Sequence, residues 1–388
     1  MKNPLLKIYC DPIYENTRKI TQHAKNSGVC VWGVTKGLCG SPELAKLFIE
    51  GGCAGLADSR LDNIIKQKKM GIKAKYMLIR IPMPSEISDV VEITDSTLVS
   101  DVDTIIMIEQ KCSALNKIYD VILMVEVGDL REGITEEAIY SNKEKFKNLK
   151  QVRIAGVGAN FGCFGGILPS KENLSHLIKF KRIVEEITGY ELENVSIGGT
   201  TCIQMFYDGL LPKEINQLRI GSAMLRGSVA WKPFNWLRQD TLEFSAEWIE
   251  VARKPSKPWG IVDLDAFGNI PKFDDNGLRL RGILGAGRQD IYPEGIRSLT
   301  PGVKVLGASS DHLICDVEEV RNTPKTGDIE VFVTDLRILS KSKTPPFVVS
   351  VSRCSGASSP PLRGRSQGNP SATPLPSRSR SYGALPVP

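Results

Sequence analysis

The sequence reads as an α/β protein: a (β/α)8 TIM barrel, then an all-β C-terminal domain, then a disordered or aberrant tail. Three observations lead there. Between residue 30 and about 225, short apolar runs alternate eight times with amphipathic stretches, the rhythm of parallel strands joined by helical crossovers. From 240 to 334 the runs are short, β-rich and separated by Gly, Pro and Asp. From about 341 the composition turns to Ser, Pro, Arg and Gly, too poor in large apolar side chains to offset the entropy of ordering. At 388 residues the chain exceeds one ordinary domain.

The first segment, 5–10 (LLKIYC), is strand-like and precedes the first helix, so it is expected to join the β-domain instead of the barrel. The barrel is assigned to 11–230. Its strands are expected at 30–34 (CVWGV), 54–57, 76–81, 90–94 (VVEIT), 121–127, 153–158, 195–198 and 216–220. Helices are expected at 43–51, 59–70, 101–117, 135–148 and 171–188. In the last of these, Leu174, Leu177, Ile178, Ile183, Val184 and Ile187 share one helical face. An open doubly wound sheet is the alternative, but no G-x-G-x-x-G follows the first strand. Residues 231–239 (WKPFNWLRQ) form the junction, and 235–340 the β-domain.

The net charge of +6 belongs to the tail, 341–388, and its approach. No acidic residue follows Asp335, whereas eight basic ones do, which leaves the first 335 residues at −2. A nucleic-acid role would rest on "SRSRS" alone and is not favoured. Read one nucleotide out of frame, codons for 334–339 can spell Leu-Thr-Tyr-Gly-Ser-Leu, so a frameshifted or fused tail is the preferred reading. The nine cysteines are scattered, odd in number and without a C-x-x-C pair, which points to reduced thiols in a cytoplasmic protein with no metal site. No apolar run reaches the roughly 18–20 residues of a membrane span, and the N-terminus lacks the pattern of a signal peptide.

Barrel enzymes carry their active residues at the C-terminal ends of the strands. Here the first strand stops at Thr35-Lys36. A strand-end lysine ordinarily reaches for solvent. A partly desolvated one becomes a nucleophile for aldehydes. Arg131 lies beyond the fifth strand and Asn160 after the sixth. The seventh runs into Gly198-Gly199-Thr200-Thr201, and the eighth into Arg219-Ile220-Gly221-Ser222. The loops after strands seven and eight are the phosphate-binding loops of many barrels. Each glycine pair alone marks only a tight turn. Facing a lysine across the barrel mouth, they describe a site for a phosphorylated aldehyde, with pyridoxal 5′-phosphate (PLP) the obvious candidate.

The motifs VTKGLCGSPELAKLFIEGG, LADSRLDNI, MVEVGDLREG, LPKEINQLRIGSAML, DAFGN, GRQD and GASSDHLICD follow in order between residues 34 and 316, within a resemblance that covers roughly residues 5–333. In these the chain resembles the ornithine/alanine racemase family of PLP-dependent enzymes, alanine racemase-like proteins of fold type III. The resemblance implies a homodimer acting on a small-molecule amino acid, ornithine or another basic one. It implies that Lys36 holds PLP covalently and moves the α-proton on one face, and that Thr201, Gly221 and Ser222 cradle the phosphate. Asn160 falls where related racemases stack a side chain on the ring, Arg131 takes the arginine position of the loop after strand five, and Arg219 faces the pyridine nitrogen. An arginine cannot accept that nitrogen's proton, which favours reversible proton transfer over decarboxylation.

Two departures from the family pattern stand out. Ala286 lies near the place of the tyrosine that the partner subunit usually supplies as second acid/base, and Tyr292 comes later. His312 and Asp311 are the substitutes, with a structural Asp311–His312 pair an equal reading. Met124 stands where some alanine racemases carbamylate a lysine. Asp290 and Asp311 are available to meet a side-chain ammonium. A PLP carrier without turnover, or a metal-assisted aldolase using Asp311 and His312 as ligands, are the alternative functions.

Overall fold

The computed structural model describes residues 3–229, 231–265, 267–334 and 348–352. Strand β1 (Leu5–Tyr9) leads directly into helix α1 (Cys10–Asn26). The barrel follows as β2 (Cys30–Val34), α2 (Pro42–Glu50), β3 (Gly55–Asp58), α3 (Leu61–Lys69), β4 (Tyr76–Leu78), α4 (Ile87–Ile93) and β5 (Ser96–Val99). It continues through α5 (Val102–Leu115), β6 (Tyr119–Met124), α6 (Glu136–Ser141), α7 (Lys143–Lys147), β7 (Val152–Asn160) and α8 (Lys171–Thr188). It ends with β8 (Asn194–Gly198), α9 (Ile203–Tyr207), β9 (Gln217–Ile220) and α10 (Ser222–Arg226).

β2 to β9 form a closed parallel barrel, β9 returning to β2 in the register Cys30↔Gln217, Trp32↔Arg219. Local chemistry sets the helix starts. Pro42 opens α2 behind Ser41, whose Oγ accepts from Leu44 N at 3.3 Å. Asp101 caps α5 through Thr104 N at 2.8 Å. Ser170 and Asn173 form a reciprocal capping box on α8. Inside the barrel Trp32, Val34, Ala57, Met77, Leu98, Ile122, Met124 and Ala155 make an apolar cluster of their own, the packed interior expected of this architecture. The second cluster lies between the strands and the surrounding helices and continues into the C-terminal sheet through Phe244, Trp248, Leu284, Leu313 and Phe332.

One expected strand is a helix. Residues 90–93 belong to α4, which Thr94 ends, and the fourth barrel strand is β5, beginning two residues beyond the expected one. The Val90-Val91 pair favours a strand by propensity, but Ile87, Val90 and Val91 sit one helical turn apart and are all buried, so burial of that face prevails. The helix expected at 135–148 divides at Asn142, whose Nδ2 donates to Ala138 O at 2.9 Å and competes with the backbone ladder.

A short ribbon, β10 (Ser228–Val229) with β11 (Lys232–Pro233), leaves the barrel. The β-domain contains β12 (Leu242–Pro255), β13 (Leu278–Leu284), β14 (Ile296–Ser298), β15 (Lys304–Ala308), β16 (Leu313–Asp316) and β17 (Ile329–Thr334). They pair antiparallel in the order β14-β17-β12-β13-β16-β15. β12 spans the sheet by bending at a bulge between Trp248 and Glu250. β1 pairs antiparallel with β12, Leu5 opposite Ser245. Within the segment read as a tail, Val348–Ser352 (β18) pairs parallel with β1. Its sequence, VVSVS, is a β-branched alternation. The rest of 341–388, and the junction at 334–339 beyond Thr334, lie outside the described residues.

Candidate active site

A cavity of about 610 Å³ opens at the C-terminal ends of the barrel strands. Lys36, Arg131, Asn160, Thr201, Arg219, Gly221 and Ser222 all line it, so the seven barrel residues singled out in the sequence meet in one place.

Lys36 is held by what precedes it. Thr35 is fully buried, and its N–H continues the ladder to Ala57 O at 2.9 Å. Its hydroxyl donates to Asp58 Oδ2 at 2.6 Å and accepts from Gln67 Nε2 at 3.0 Å. Asp58 also accepts from Arg60 N at 2.9 Å and Asn63 Nδ2 at 3.0 Å. Burial pushes the Asp58 carboxyl above the usual aspartate range, only partly opposed by these bonds and by the charge of Lys36. The chain then turns through Lys36–Leu38 and presents Lys36 exposed, at the cavity wall. The ends of β2 and β3 are therefore fixed one residue behind the lysine.

Arg219 lies opposite, fully enclosed. Its guanidinium donates to Ala159 O at 2.9 Å, to Asn160 Oδ1 at 3.0 Å and to Ser196 Oγ. Ser196 Oγ in turn donates to Gln217 Oε1 at 2.6 Å. Burial pulls the guanidinium down to about 10, and the charge of Glu132 works against that fall. It remains a cation at neutral pH. Gly198 makes room: a Cβ there would stand 2.5 Å from Asn160 Oδ1 and 2.8 Å from Arg219 Nη2.

The phosphate loops close the third side. Gly199 has φ +119, a conformation open to glycine, and Thr200 Oγ1 accepts from Ala223 N at 3.2 Å, joining the two loops. A Cβ on Gly221 would stand 2.7 Å from Val34 O, which keeps this wall at backbone depth. Thr201 Oγ1 is buried and has no hydrogen-bond partner among the described residues. A buried hydroxyl without a partner is costly unless a ligand oxygen completes it. The orphan hydroxyl, the glycine-walled cradle and a lysine across the cavity fit the phosphate and the aldehyde of PLP.

Arg131 sits on a tightly folded loop. Glu126 accepts from the N–H groups of Gly128 and Leu130, Asp129 accepts from Phe164 N and Gly165 N, and a bridge between Val125 and Ile134 closes the loop. Arg131 pairs with Glu132, and that bond raises its pKa. Glu132 lines the cavity too and accepts from Asn160 Nδ2 at 2.7 Å. It was not among the residues expected from sequence, because LREG looks like a surface ion pair; the signal available was its position beside Arg131. Met124 is fully buried in the barrel interior.

The β-domain residues are elsewhere. None of Ala286, Asp290, Tyr292, Asp311 or His312 lines this cavity. Asp311 and His312 are exposed; Asp311 accepts from Gln289 Nε2 at 2.5 Å, and His312 Nδ1 lies 3.4 Å from Ser309 Oγ. Asp290 accepts from Gly287 N at 2.9 Å. Among the described residues, no three His, Cys, Asp or Glu side chains are grouped to hold a metal, and no helix is long and apolar enough to cross a membrane.

Comparison with known proteins points the same way. Curated relatives include a lysine racemase of Thermotoga maritima, 38% identical over 354 residues, covering 90% of this chain and 99% of the relative. They also include an ornithine racemase of Acetoanaerobium sticklandii, 34% identical over 348 residues, covering 89% and 98%. Among solved structures, alanine racemase from D-cycloserine producing Streptomyces lavendulae superposes with a TM-score of 0.70 at 15% identity, over 91% of this chain and 99% of that one. D-threonine aldolase from Filomicrobium marinum superposes with a TM-score of 0.68 at 14% identity, over 90% and 91%; at such identities these two speak for the fold alone. Residues 8–228 match the family model for the alanine racemase N-terminal domain, and the chain belongs to the alanine racemase family.

Proposed function

We propose that this amino-acid racemase uses PLP to interconvert the L and D forms of ornithine, lysine or a closely similar basic amino acid, by two-base transfer of the α-proton. The observation that carries the reading is the meeting, in one cavity, of Lys36, the unpartnered Thr201 hydroxyl and the enclosed Arg219. The lysine and ornithine racemases among its relatives support a basic substrate.

Lys36 would hold the cofactor, with Thr201, Gly221 and Ser222 around its phosphate and Asn160 and Arg219 beside its ring. PLP, when bound, supplies the electron withdrawal that acidifies the α-C–H of an amino acid. Lys36, fixed by the Thr35–Asp58 anchor, takes or returns that proton on one face. Arg219 has only donors and keeps its charge, so it leaves the ring nitrogen without an acid partner and holds electron withdrawal to the level a reversible transfer needs. Arg131 brings positive charge to the rim for the substrate carboxylate.

Among the described residues, no tyrosine or histidine lines the chain's own cavity to serve as the second proton carrier. His312 or Asp311, presented by the β-domain of a second copy, would serve the other face. The homodimer this requires agrees with the apolar side chains that the β-domain exposes, among them Trp259 at 91% and Ile261 at 103% exposure. Incubation with one enantiomer in deuterated water should racemise it as deuterium enters the α-position, without release of carbon dioxide or aldehyde. If ornithine, lysine and alanine all keep their α-protons while PLP is bound, the reading fails.

A further inference from the structure

Glu132 stands between two guanidiniums. It pairs directly with Arg131, and its Oε1 accepts from Asn160 Nδ2 at 2.7 Å. Asn160 Oδ1 in turn accepts from Arg219 Nη2 at 3.0 Å. Among the described residues no carboxylate touches Arg219 itself: its acceptors are a carbonyl, an amide oxygen and a hydroxyl. A fully enclosed guanidinium without a counter-charge is expensive, and an amide can relay one. The chemistry of the bonds also fixes their direction. Arginine only donates, so Asn160 must turn its oxygen to Arg219, which leaves its NH2 for an acceptor. An ionised Glu132 is that acceptor. The loop carrying it is pinned by Glu126, Asp129 and the Val125–Ile134 bridge, so the carboxylate is delivered by built structure.

We propose that Glu132 is a positioning residue: its carboxylate is the counter-charge shared by Arg131 and, through the Asn160 amide, by Arg219, and it sets the face of Asn160 that meets Arg219. The charge sharing stands without any ligand. Its catalytic consequence rests on the reading of this cavity as the PLP site, since Arg219 and Arg131 act there.

The test exchanges the charge along the relay. Glu132→Gln removes the carboxylate and keeps an amide at the position. Glu132→Gln combined with Asn160→Asp reverses the pair. The carboxylate introduced at position 160 then accepts from Arg219 and from the amide introduced at position 132, and one negative charge again lies between the guanidiniums. The first readout is thermal unfolding of the cofactor-free protein, where Glu132→Gln should lower Tm and the reversed pair should recover most of the loss. The second is the absorbance of added PLP followed against pH, which should shift in Glu132→Gln and return toward the parent curve in the reversed pair. The third is kcat, expected to fall about tenfold or more in Glu132→Gln with a smaller change in KM. A parent protein that binds no PLP would count against the functional reading, while the unfolding data would still decide the charge sharing. A Glu132→Gln protein with parental Tm and spectrum, or a reversed pair no better than the single variant, overturns the proposal.

Discussion

Lys36 owes its position to Thr35 and Asp58, and its proposed role can be tested directly. Borohydride reduction of the PLP-loaded protein followed by peptide mass spectrometry should place the pyridoxyl group on the peptide containing Lys36. An adduct on any other lysine would sink the assignment. Arg219 allows a second test. Arg219→Glu would give the ring nitrogen a partner able to protonate it, so racemisation should slow by at least about tenfold while transamination side products rise; unchanged partitioning between the two would argue against the role given to Arg219. At this scale much was legible. Strand-end position in a barrel picks out Lys36, Asn160 and Arg219, because the fold itself directs those side chains to one mouth. Glu132 was not legible, because its partners Asn160 and Arg131 come from different elements and a carboxylate next to an arginine carries no mark of a relay.

At the scale of elements, strand pairing sets tolerances that substitutions can probe. Gly156 in β7 lies opposite Asn194 of β8, and a Cβ there would stand 2.2 Å from Asn194 O. Gly156→Ala should cost about 1–3 kcal/mol in unfolding free energy, since backbone and not a flexible side chain must give way; a parental Tm would contradict that. In the β-domain, Arg279 in β13 donates to Asp316 in β16 at 2.8 and 3.1 Å. Burial pushes the Asp316 carboxyl up, but the Arg279 bond and the Glu318 N–H outweigh it and hold the group below the usual range. An acid held low contributes stability above the ordinary aspartate pKa, about 3.9, and loses it as pH falls through that value and below. Arg279→Met should therefore be less stable than the parent at pH 7, with the gap closing toward pH 3. The elements also show where sequence reading loses its grip. Residues 90–93 carry strand-formers on a helix, a conflict that only the packing of α4 resolves. The eight-fold alternation itself survived that error, because the true strand, Ser96–Val99, lies within a few residues of the expected one.

At the scale of the whole molecule, the described residues that line the cavity run from Val34 to Val229, within the barrel and the ribbon that leaves it, and the proposed second base would come from another copy. Lys36→Ala chains and His312→Ala chains, each inactive alone, should regain activity when mixed if His312 acts across subunits. Heterodimers that form yet stay inactive would remove His312 from that role. The two-domain plan was legible in the sequence from the change of rhythm near residue 235, but a surface for the proposed homodimer was not, because exposed apolar side chains in a β-rich stretch do not say what covers them.

The pairing of β1 with β12 has a consequence for how the chain is made. Leu5 and Ser245 are partners 240 residues apart, with the entire barrel synthesised between them. At roughly 5–20 residues per second, the first strand emerges from the ribosome on the order of 10–50 seconds before its antiparallel neighbour exists. During that interval Leu5, Leu6 and Ile8, all buried at the end, have nowhere native to go. The barrel is thus free to close while its leading segment is an open β-edge, an invitation to chaperones or to the same segment on a neighbouring nascent chain. Arrested nascent chains ending before residue 242 should expose this edge, and those long enough for residues 242–255 to have left the ribosome should pair it with β12.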